Sequence, residues 1–208
     1  VNTQEALNKI KTAFSGKNTP APNYKYPKDG ALKEQAKKIK FEDVQSGYLL
    51  IGYRGTPINA KDSYALDVLA TILGDGRSSV FYRKIKDEKQ LAFGISAFNS
   101  GFKDDGIFYI SADFIPEKYQ ALENEIFKVV KEIQRNGVTE EQLQLAKNII
   151  ERDTYYSRES VSNIANQIGY TFVTSGDTAY YDNYLTIIEK VTAQEFTDAS
   201  NKALQVNK

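Results

Sequence analysis

The order of strand-like and helix-like patterns is the feature that most limits the fold of this chain. Every predicted strand lies before Pro116, and every element predicted after Pro116 is a helix. A parallel sheet needs strands that alternate regularly with crossover helices, and the pattern here does not alternate in that way. Grouped strands followed by grouped helices favour an antiparallel sheet with helices packed on one face. The sequence therefore predicts an α+β fold.

Four segments are predicted to be strands. Alternating charged and apolar residues over 38–42 indicate a half-exposed strand, and the apolar run 48–53 indicates a more buried one. Segments 91–100 and 107–114 flank the turn sequence Lys103-Asp-Asp-Gly106. These last two strands are therefore expected to form a hairpin.

Helices are predicted from the spacing of apolar residues and from capping residues. Apolar residues at helical spacing predict helices over 3–14, 64–73 and 79–86. After Pro116, a stripe of apolar residues from Tyr119 to Ile133 predicts a long helix. Residues suited to an N-cap begin the helices predicted after it: Thr139, where Gln142 completes a capping box, Ser160, Thr178 and Thr192.

Composition excludes several kinds of chemistry. The 208 residues include no His and no Cys, so the chain cannot form an imidazole or thiolate zinc site, a Ser-His or Cys-His pair, or a redox dithiol. Lys and Arg number 27, as do Asp and Glu, so no net charge draws the chain to nucleic acid. No apolar run approaches the roughly 20 residues that span a bilayer.

A family pattern is concentrated between Leu49 and Phe93. Its segments are Leu49-Leu-Ile-Gly-Tyr-Arg54, Tyr64-Ala-Leu-Asp-Val-Leu-Ala-Thr-Ile-Leu-Gly-Asp-Gly-Arg-Ser-Ser79, Tyr82-Arg83 and Asp87-Glu-Lys-Gln-Leu-Ala-Phe93. Together they closely resemble the C-terminal domain of the M16 zinc proteases, the family of pitrilysin, insulinase and the mitochondrial processing peptidase. The resemblance extends from about Lys37 to Leu204 and includes Val138-Thr-Glu-Glu-Gln-Leu143.

The resemblance implies a clamshell of two similar α+β domains with a LuxS/processing-peptidase-like metallohydrolase fold. In such a clamshell the first domain holds zinc through a His-x-x-Glu-His motif, which this chain lacks. The segment 35–206 is therefore expected to be the second, non-catalytic domain. Residues 1–16 are expected to be the last helix of the preceding domain, and 17–34 a linker. Zinc is expected only in that preceding, catalytic domain.

The resemblance also implies a function. The chain is expected to help enclose and bind a peptide substrate opposite the zinc-bearing domain, which belongs to the same polypeptide or to a separate subunit. By itself it is predicted to be inactive. The alternative is a structural or assembly homologue without proteolytic activity, and a homodimer is a further candidate assembly. The bacterial cytoplasm and the periplasm are both compatible with the composition. The chain begins without a signal-type segment or a Met, so it looks like an excised fragment.

Two positions are candidate substrate-binding residues. Active members of the family place an Arg and, seven residues later, a Tyr near the scissile carbonyl, where a cation and a hydroxyl donor stabilise the developing negative charge. Alignment on Gln90-Leu-Ala92 puts Lys86 and Phe93 at these positions. Lys lacks the planar fork of donors, and Phe lacks a hydroxyl. From residue type alone, Lys86 is also compatible with an ordinary surface lysine, and Phe93 with a core or wall residue.

Three other features have ordinary structural interpretations. Segment 74–79 follows a helix rather than a strand, so a glycine-dependent turn is favoured over a phosphate site, with Arg77 as a structural hydrogen-bond donor. Acidic residues interrupt the basic group formed by Arg83, Lys84, Lys86 and Lys89, which indicates a solvated helix face. The tyrosines at 155–156 and 180–181 are expected to pack helices on the sheet.

Overall fold

The computed structural model describes residues 2–16 and 34–205, which fall into two units. The first unit comprises residues 1–35 with 207–208, and its helix α1 is Thr3–Phe14. The side chain of Asn2 caps this helix by accepting hydrogen bonds from the N–H groups of Gln4 and Glu5. The predicted first helix is therefore confirmed. The predicted linker lies outside the described residues, apart from its last residue.

The second unit, Ala36–Val206, contains a small sheet and most of the helices. Its elements in chain order are β1 (Gly47–Arg54), α2 (Lys61–Gly74), a π-helix (Tyr82–Glu88), β2 (Gly94–Gly101), β3 (Gly106–Phe114), a 3₁₀ turn (Pro116–Lys118), α3 (Tyr119–Asn136), α4 (Glu140–Ser157), α5 (Val161–Ser175), α6 (Ala179–Lys190) and α7 (Ala193–Ala203).

The three strands form one antiparallel sheet in the order β1-β3-β2. The predicted hairpin of β2 and β3 is confirmed, although β2 begins at Gly94 rather than at Leu91. The strand predicted over 38–42 is wrong, because the structure has no regular element there. Its apolar side chains have no sheet face to cover, and Phe41 is 92% exposed.

One face of the sheet forms the core. Along β3, every second side chain is buried, ending with Ile110, Ala112 and Phe114. β1 alternates between exposed and more buried residues, and it is more buried than 38–42, where every residue is exposed. Helix α2 packs on β2 and also against α4, α6 and α7, which explains why it is apolar around most of its circumference. Helices on one face of an antiparallel sheet confirm the α+β prediction.

The capping residues place the later helices. The Thr139–Gln142 capping box is present, with the Gln142 N–H donating to Thr139 Oγ1 over 3.2 Å, and α7 begins with a second box. Ser160 caps α5 as predicted. At α6 the Thr178 side chain makes no capping bond, and Asp177 Oδ1 instead accepts from the Ala179 N–H over 2.8 Å. Within the described residues, no helix is both long and apolar enough to cross a membrane.

Candidate functional site

The face of the sheet that points away from the helices carries exposed apolar side chains among polar ones, which include Arg54 and Asp113. Tyr48 and Leu50 of β1 are 79% and 68% exposed. In the next strand they lie opposite Asp113 and Ser111. A sheet face of this kind is usually polar when it meets only water. The exposed apolar side chains on this face therefore mark it as a candidate binding surface.

A groove of about 470 Å³ runs across one end of this open face. The side chains and glycine on the open face that line it are Tyr48, Leu50, Gly94, Ser96, Ser111 and Asp113. Among the described residues that line the groove, Asp113 is the one that carries a charge. Hydroxyls, one carboxylate and two large apolar side chains suit a mixed polar and apolar ligand, such as a peptide.

A stacked aromatic pair continues the open face beside the groove. The rings of Phe98 and Tyr109 are 5.0 Å apart at an interplanar angle of 25°, and these residues are partners across β2 and β3. Leu50 pairs with Ser111, two residues along β3 from Tyr109. The two stacked rings form an apolar surface. This surface is accessible, since Phe98 is 43% exposed.

Phe93 is next in the chain to the groove and is not one of the residues that line it. It immediately precedes Gly94, a groove residue, and its N–H donates to the carbonyl oxygen of Asp113 over 2.8 Å. Its side chain is 51% exposed, so the interpretation of Phe93 as a core residue is wrong. The bond to Asp113 fixes the backbone, while the ring is accessible to a ligand.

Lys86 lies on the π-helix, and no described contact joins it to Phe93. Its Nζ is 4.9 Å from the centre of the Tyr82 ring. The guanidinium of Arg77 lies 5.9 Å from the same ring. Arg77 is exposed and makes no hydrogen bond with a described residue, so its predicted role as a hydrogen-bond donor is wrong. Lys86 and Arg77 therefore both lie within cation–π distance of the Tyr82 ring.

The π-helix is joined to β2 by a tight turn. Gln90 adopts φ +51°, a left-handed conformation that residues with a Cβ rarely adopt. The Leu91 N–H donates to the Ile85 carbonyl over 2.9 Å, and the Lys118 ammonium donates to the Gln90 carbonyl over 2.6 Å. The helix predicted over 79–86 is thus present in altered form, as a π-helix that extends to Glu88.

The basic group on this helix is more ordered than a solvated face. Lys84 pairs with Glu132 over 2.5 Å, and Lys89 pairs with Glu125, so both bind acidic side chains of α3. The Lys84 ammonium holds the pKa of Glu132 below its ordinary value. Lys86 is left as the cation of this group that contacts an aromatic ring rather than a carboxylate.

The glycine-rich turn is structural, as predicted. A Cβ on Gly74 would overlap the backbone of Ser96 and Ala97, because the end of α2 presses directly against β2. Gly76 has φ +68°. Gly74 therefore allows the close approach of α2 to the sheet, and Gly76 adopts the left-handed conformation that the turn requires.

A polar cluster that residue type did not reveal lies beneath the sheet. Asp67 of α2 accepts a hydrogen bond from Asn99 Nδ2 over 2.8 Å and another from Tyr184 Oη over 3.0 Å. Burial raises the pKa of Asp67 to about 6, against the two hydrogen bonds, which lower it. The sequence signal for this cluster is Asp67 itself, an acidic residue inside the apolar stripe of 64–73.

The residues of this chain do not fit a zinc ion. Zinc sites in proteins are built mainly from His and Cys, and the chain has neither. Within 2–16 and 34–205, no three acidic side chains come close enough together to hold a metal ion.

Comparison with known proteins identifies a family. The family model described as "Peptidase M16 inactive domain" matches residues 1–150. The zinc protease PqqE of Helicobacter pylori is 30% identical over 173 residues, which are 79% of this chain and 38% of that protein. An uncharacterized zinc protease of Rickettsia felis is 28% identical over 166 residues, which are 77% of this chain and 39% of that protein. The chain thus spans about two fifths of these curated relatives.

Solved structures show the same fold. A protease from Helicobacter pylori superposes with a TM-score of 0.87 at 23% identity, covering 100% of this chain and 51% of that one. A peptidase M16 inactive domain from Pseudomonas fluorescens gives a TM-score of 0.70 at 21% identity, covering 78% of this chain and 39% of that one. At these identities the likeness establishes the fold.

Proposed function

Since this chain belongs to the M16 peptidase family and is homologous to its non-catalytic C-terminal domain, we propose that its open sheet face forms one wall of a peptide-binding chamber. A zinc-bearing catalytic domain, in the same polypeptide or in a separate subunit, forms the opposite wall and performs the hydrolysis. The observation that carries the proposal is the uncovered face of the sheet, with its exposed apolar side chains and its groove.

The chemistry of this face suits an extended peptide. Tyr48, Leu50 and Phe98 offer apolar area to side chains, while Ser96 and Ser111 offer hydroxyls. Asp113 adds one negative charge at the groove end next to Phe93. A peptide with apolar residues and a basic side chain would therefore bind better than an acidic one.

The test is reconstitution. The chain alone, treated with a chelator, is expected to show no proteolysis, and activity is expected only after the zinc-bearing domain is added. Proteolysis by the metal-free chain alone would contradict the assignment. In the reconstituted protease, Leu50→Gln is expected to raise KM for a peptide roughly tenfold, because it removes exposed apolar area from the groove.

A matched control lies on α4. Leu145 is 46% exposed, so Leu145→Gln makes the same chemical change on a helix away from the groove. It is expected to leave KM unchanged. An equal effect of the two substitutions would show that the open face does not bind the peptide.

The alternative function is that of an assembly subunit without proteolysis. It is favoured by the residues that stand where active family members have Arg and Tyr, since Lys86 lacks the donor fork of Arg and Phe93 lacks a hydroxyl. The full-length gene distinguishes the two. A His-x-x-Glu-His motif in the same gene or in a neighbouring partner gene supports the peptidase, and its absence from both supports the assembly subunit.

A further inference from the structure

A second cavity, of about 410 Å³, lies between α4, α5 and α6. Its lining residues come from the end of α4, the second half of α5 and the first half of α6: Thr154, Ser157, Arg158, Asn166, Gln167, Tyr170, Thr171, Tyr180, Tyr181 and Tyr184. None of these residues is acidic. The volume lies within the range of small-molecule sites.

Arg158 gives this cavity a positive charge that no carboxylate among the described residues pairs with. Its Nη2 donates to the Tyr181 carbonyl over 3.0 Å, and its guanidinium carbon lies 4.2 Å from the centre of the Tyr181 ring. Its Nε is enclosed without a hydrogen-bond partner. Within 2–16 and 34–205, Arg158 forms no ion pair with a carboxylate. The C-terminus of α4, which Arg158 caps, carries about half a negative charge, so it offsets only part of the cation.

The remaining walls are neutral aromatic rings. Tyr180 and Tyr184 lie 5.9 Å apart by ring centres, and Tyr180 stacks on Tyr64 at 5.6 Å. Burial raises the pKa of both Tyr180 and Tyr184, so their hydroxyls stay protonated at neutral pH. The Tyr184 hydroxyl already donates to Asp67. These tyrosines therefore present ring surface rather than charge.

We propose that this cavity binds a small aromatic carboxylate, with its ring packed against the tyrosine rings that line the cavity and its carboxylate on Arg158. A planar guanidinium matches a carboxylate, and a single cation is suited to a monoanion rather than to a phosphate of higher charge. Stacking on tyrosine rings selects an aromatic group over an aliphatic one. The site is separate from the open sheet face, so the proposal does not depend on peptide binding there.

The test is an NMR titration of the 208-residue chain with 3-phenylpropionate at pH 7. Saturable shifts are expected for residues that line the cavity. The uncharged analogue 3-phenylpropan-1-ol is expected to bind at least tenfold more weakly, because it cannot form charge-assisted hydrogen bonds with Arg158. Arg158→Gln is expected to weaken 3-phenylpropionate binding by a similar factor. Arg152→Gln is the matched control, since Arg152 is on the same helix and paired with Asp153 over 2.7 Å, and it is expected to leave affinity unchanged.

Several outcomes would overturn the proposal. These are an absence of saturable shifts at millimolar ligand, equal affinity for the acid and the alcohol, or equal losses from Arg158→Gln and Arg152→Gln. Arg158→Gln also removes the bond to Tyr181, so its fold is checked by thermal unfolding. If that variant does not fold, the comparison of acid with alcohol on the unaltered chain decides the question.

Discussion

Tyr184 on α6 donates a 3.0 Å hydrogen bond to Asp67 on α2, two residues that are 117 positions apart in the chain. Asn99 on β2 donates to the other oxygen of the same carboxyl group over 2.8 Å. One acidic side chain thus joins the central helix to the sheet and to a late helix. Burial raises the pKa of Asp67 to about 6, so two hydrogen bonds only partly offset the loss of solvation.

This raised pKa predicts a pH-dependent free energy of unfolding. The pKa is higher in the folded state than the ordinary value of 3.8, so protonation favours the folded state. The stabilisation is fully present below about pH 4 and is lost as the pH rises through about 6, by up to about 3 kcal/mol. Urea unfolding between pH 4 and 7 measures it. Glu123, Glu132 and Glu195 have lowered pKa values and change the free energy of unfolding with pH in the opposite direction. The pH dependence measured for Asp67→Asn is therefore subtracted from that of the unaltered chain. A difference curve that is flat would contradict the prediction.

Removing the Tyr184 hydroxyl tests the same cluster by deleting one of the two hydrogen bonds to Asp67. Tyr184→Phe is expected to lower the free energy of unfolding at pH 7 by about 1.5–3 kcal/mol, because a bond to an ionised carboxylate is lost. It is also expected to raise the pKa of Asp67, which carbon NMR of the carboxyl group can follow. The control is Tyr155→Phe on α4, where Tyr155 is 58% exposed. A loss of the same size in the control would rule out the special role of Tyr184.

Gly74 is expected to tolerate no side chain. Gly74→Ala places a Cβ against the backbone of Ser96 and Ala97, so a loss of about 2–3 kcal/mol is expected in the free energy of unfolding. Gly169→Ala on α5 is the control, because nothing lies within 4 Å of the added Cβ. The control should be neutral or stabilising by up to about 1 kcal/mol, since Ala favours a helix. Thermal or urea unfolding of both variants checks the contrast.

Gln90→Gly is expected to stabilise the chain. The left-handed conformation of Gln90 costs about 1–2 kcal/mol, and Gly relieves it at an added entropic cost of about 0.5–1 kcal/mol. A net gain of about 0.5–1 kcal/mol should appear in urea unfolding. The same change within α4, Gln144→Gly, should instead cost about 1 kcal/mol. A loss of stability in Gln90→Gly would show that the turn is not strained.

Substitutions at Lys86 and Phe93 test the proposed role of these residues in activity. They are measured in a protease that contains both this chain and the zinc-bearing catalytic domain. Phe93→Tyr adds the hydroxyl donor at an exposed position and is expected to raise turnover about tenfold if the ring faces the reacting carbonyl. Phe102→Tyr is the matched control, since both phenylalanines are 51% exposed. Neither change should move the free energy of unfolding by more than about 0.5 kcal/mol.

Lys86→Ala is expected to lower turnover more than it lowers stability. Its control is Lys131→Ala, at an exposed position on α3. Equal kinetics for the two alanine variants would show that Lys86 is an ordinary surface lysine.

Periodicity and capping signals allowed most elements to be predicted. The Thr139 box, the hairpin around 103–106 and the apolar stripe of α3 depend on residues close together in the chain, so the local sequence predicts them well. The alternation over 38–42 is also local, but a strand forms only if a neighbouring strand satisfies its backbone. Among residues 2–16 and 34–205 no strand pairs with this segment, and the predicted strand is absent.

What the sequence by itself determined is the fold class, the M16 resemblance and the exclusion of a His or Cys metal site, because each follows from residue type and local order. Only the tertiary structure decided which face of the sheet is open, that Phe93 is exposed beside a groove, and that Asp67 meets Asn99 and Tyr184. These facts depend on which distant segments pack together. Burial and hydrogen bonding between residues 32 and 117 positions apart leave little trace in local residue patterns.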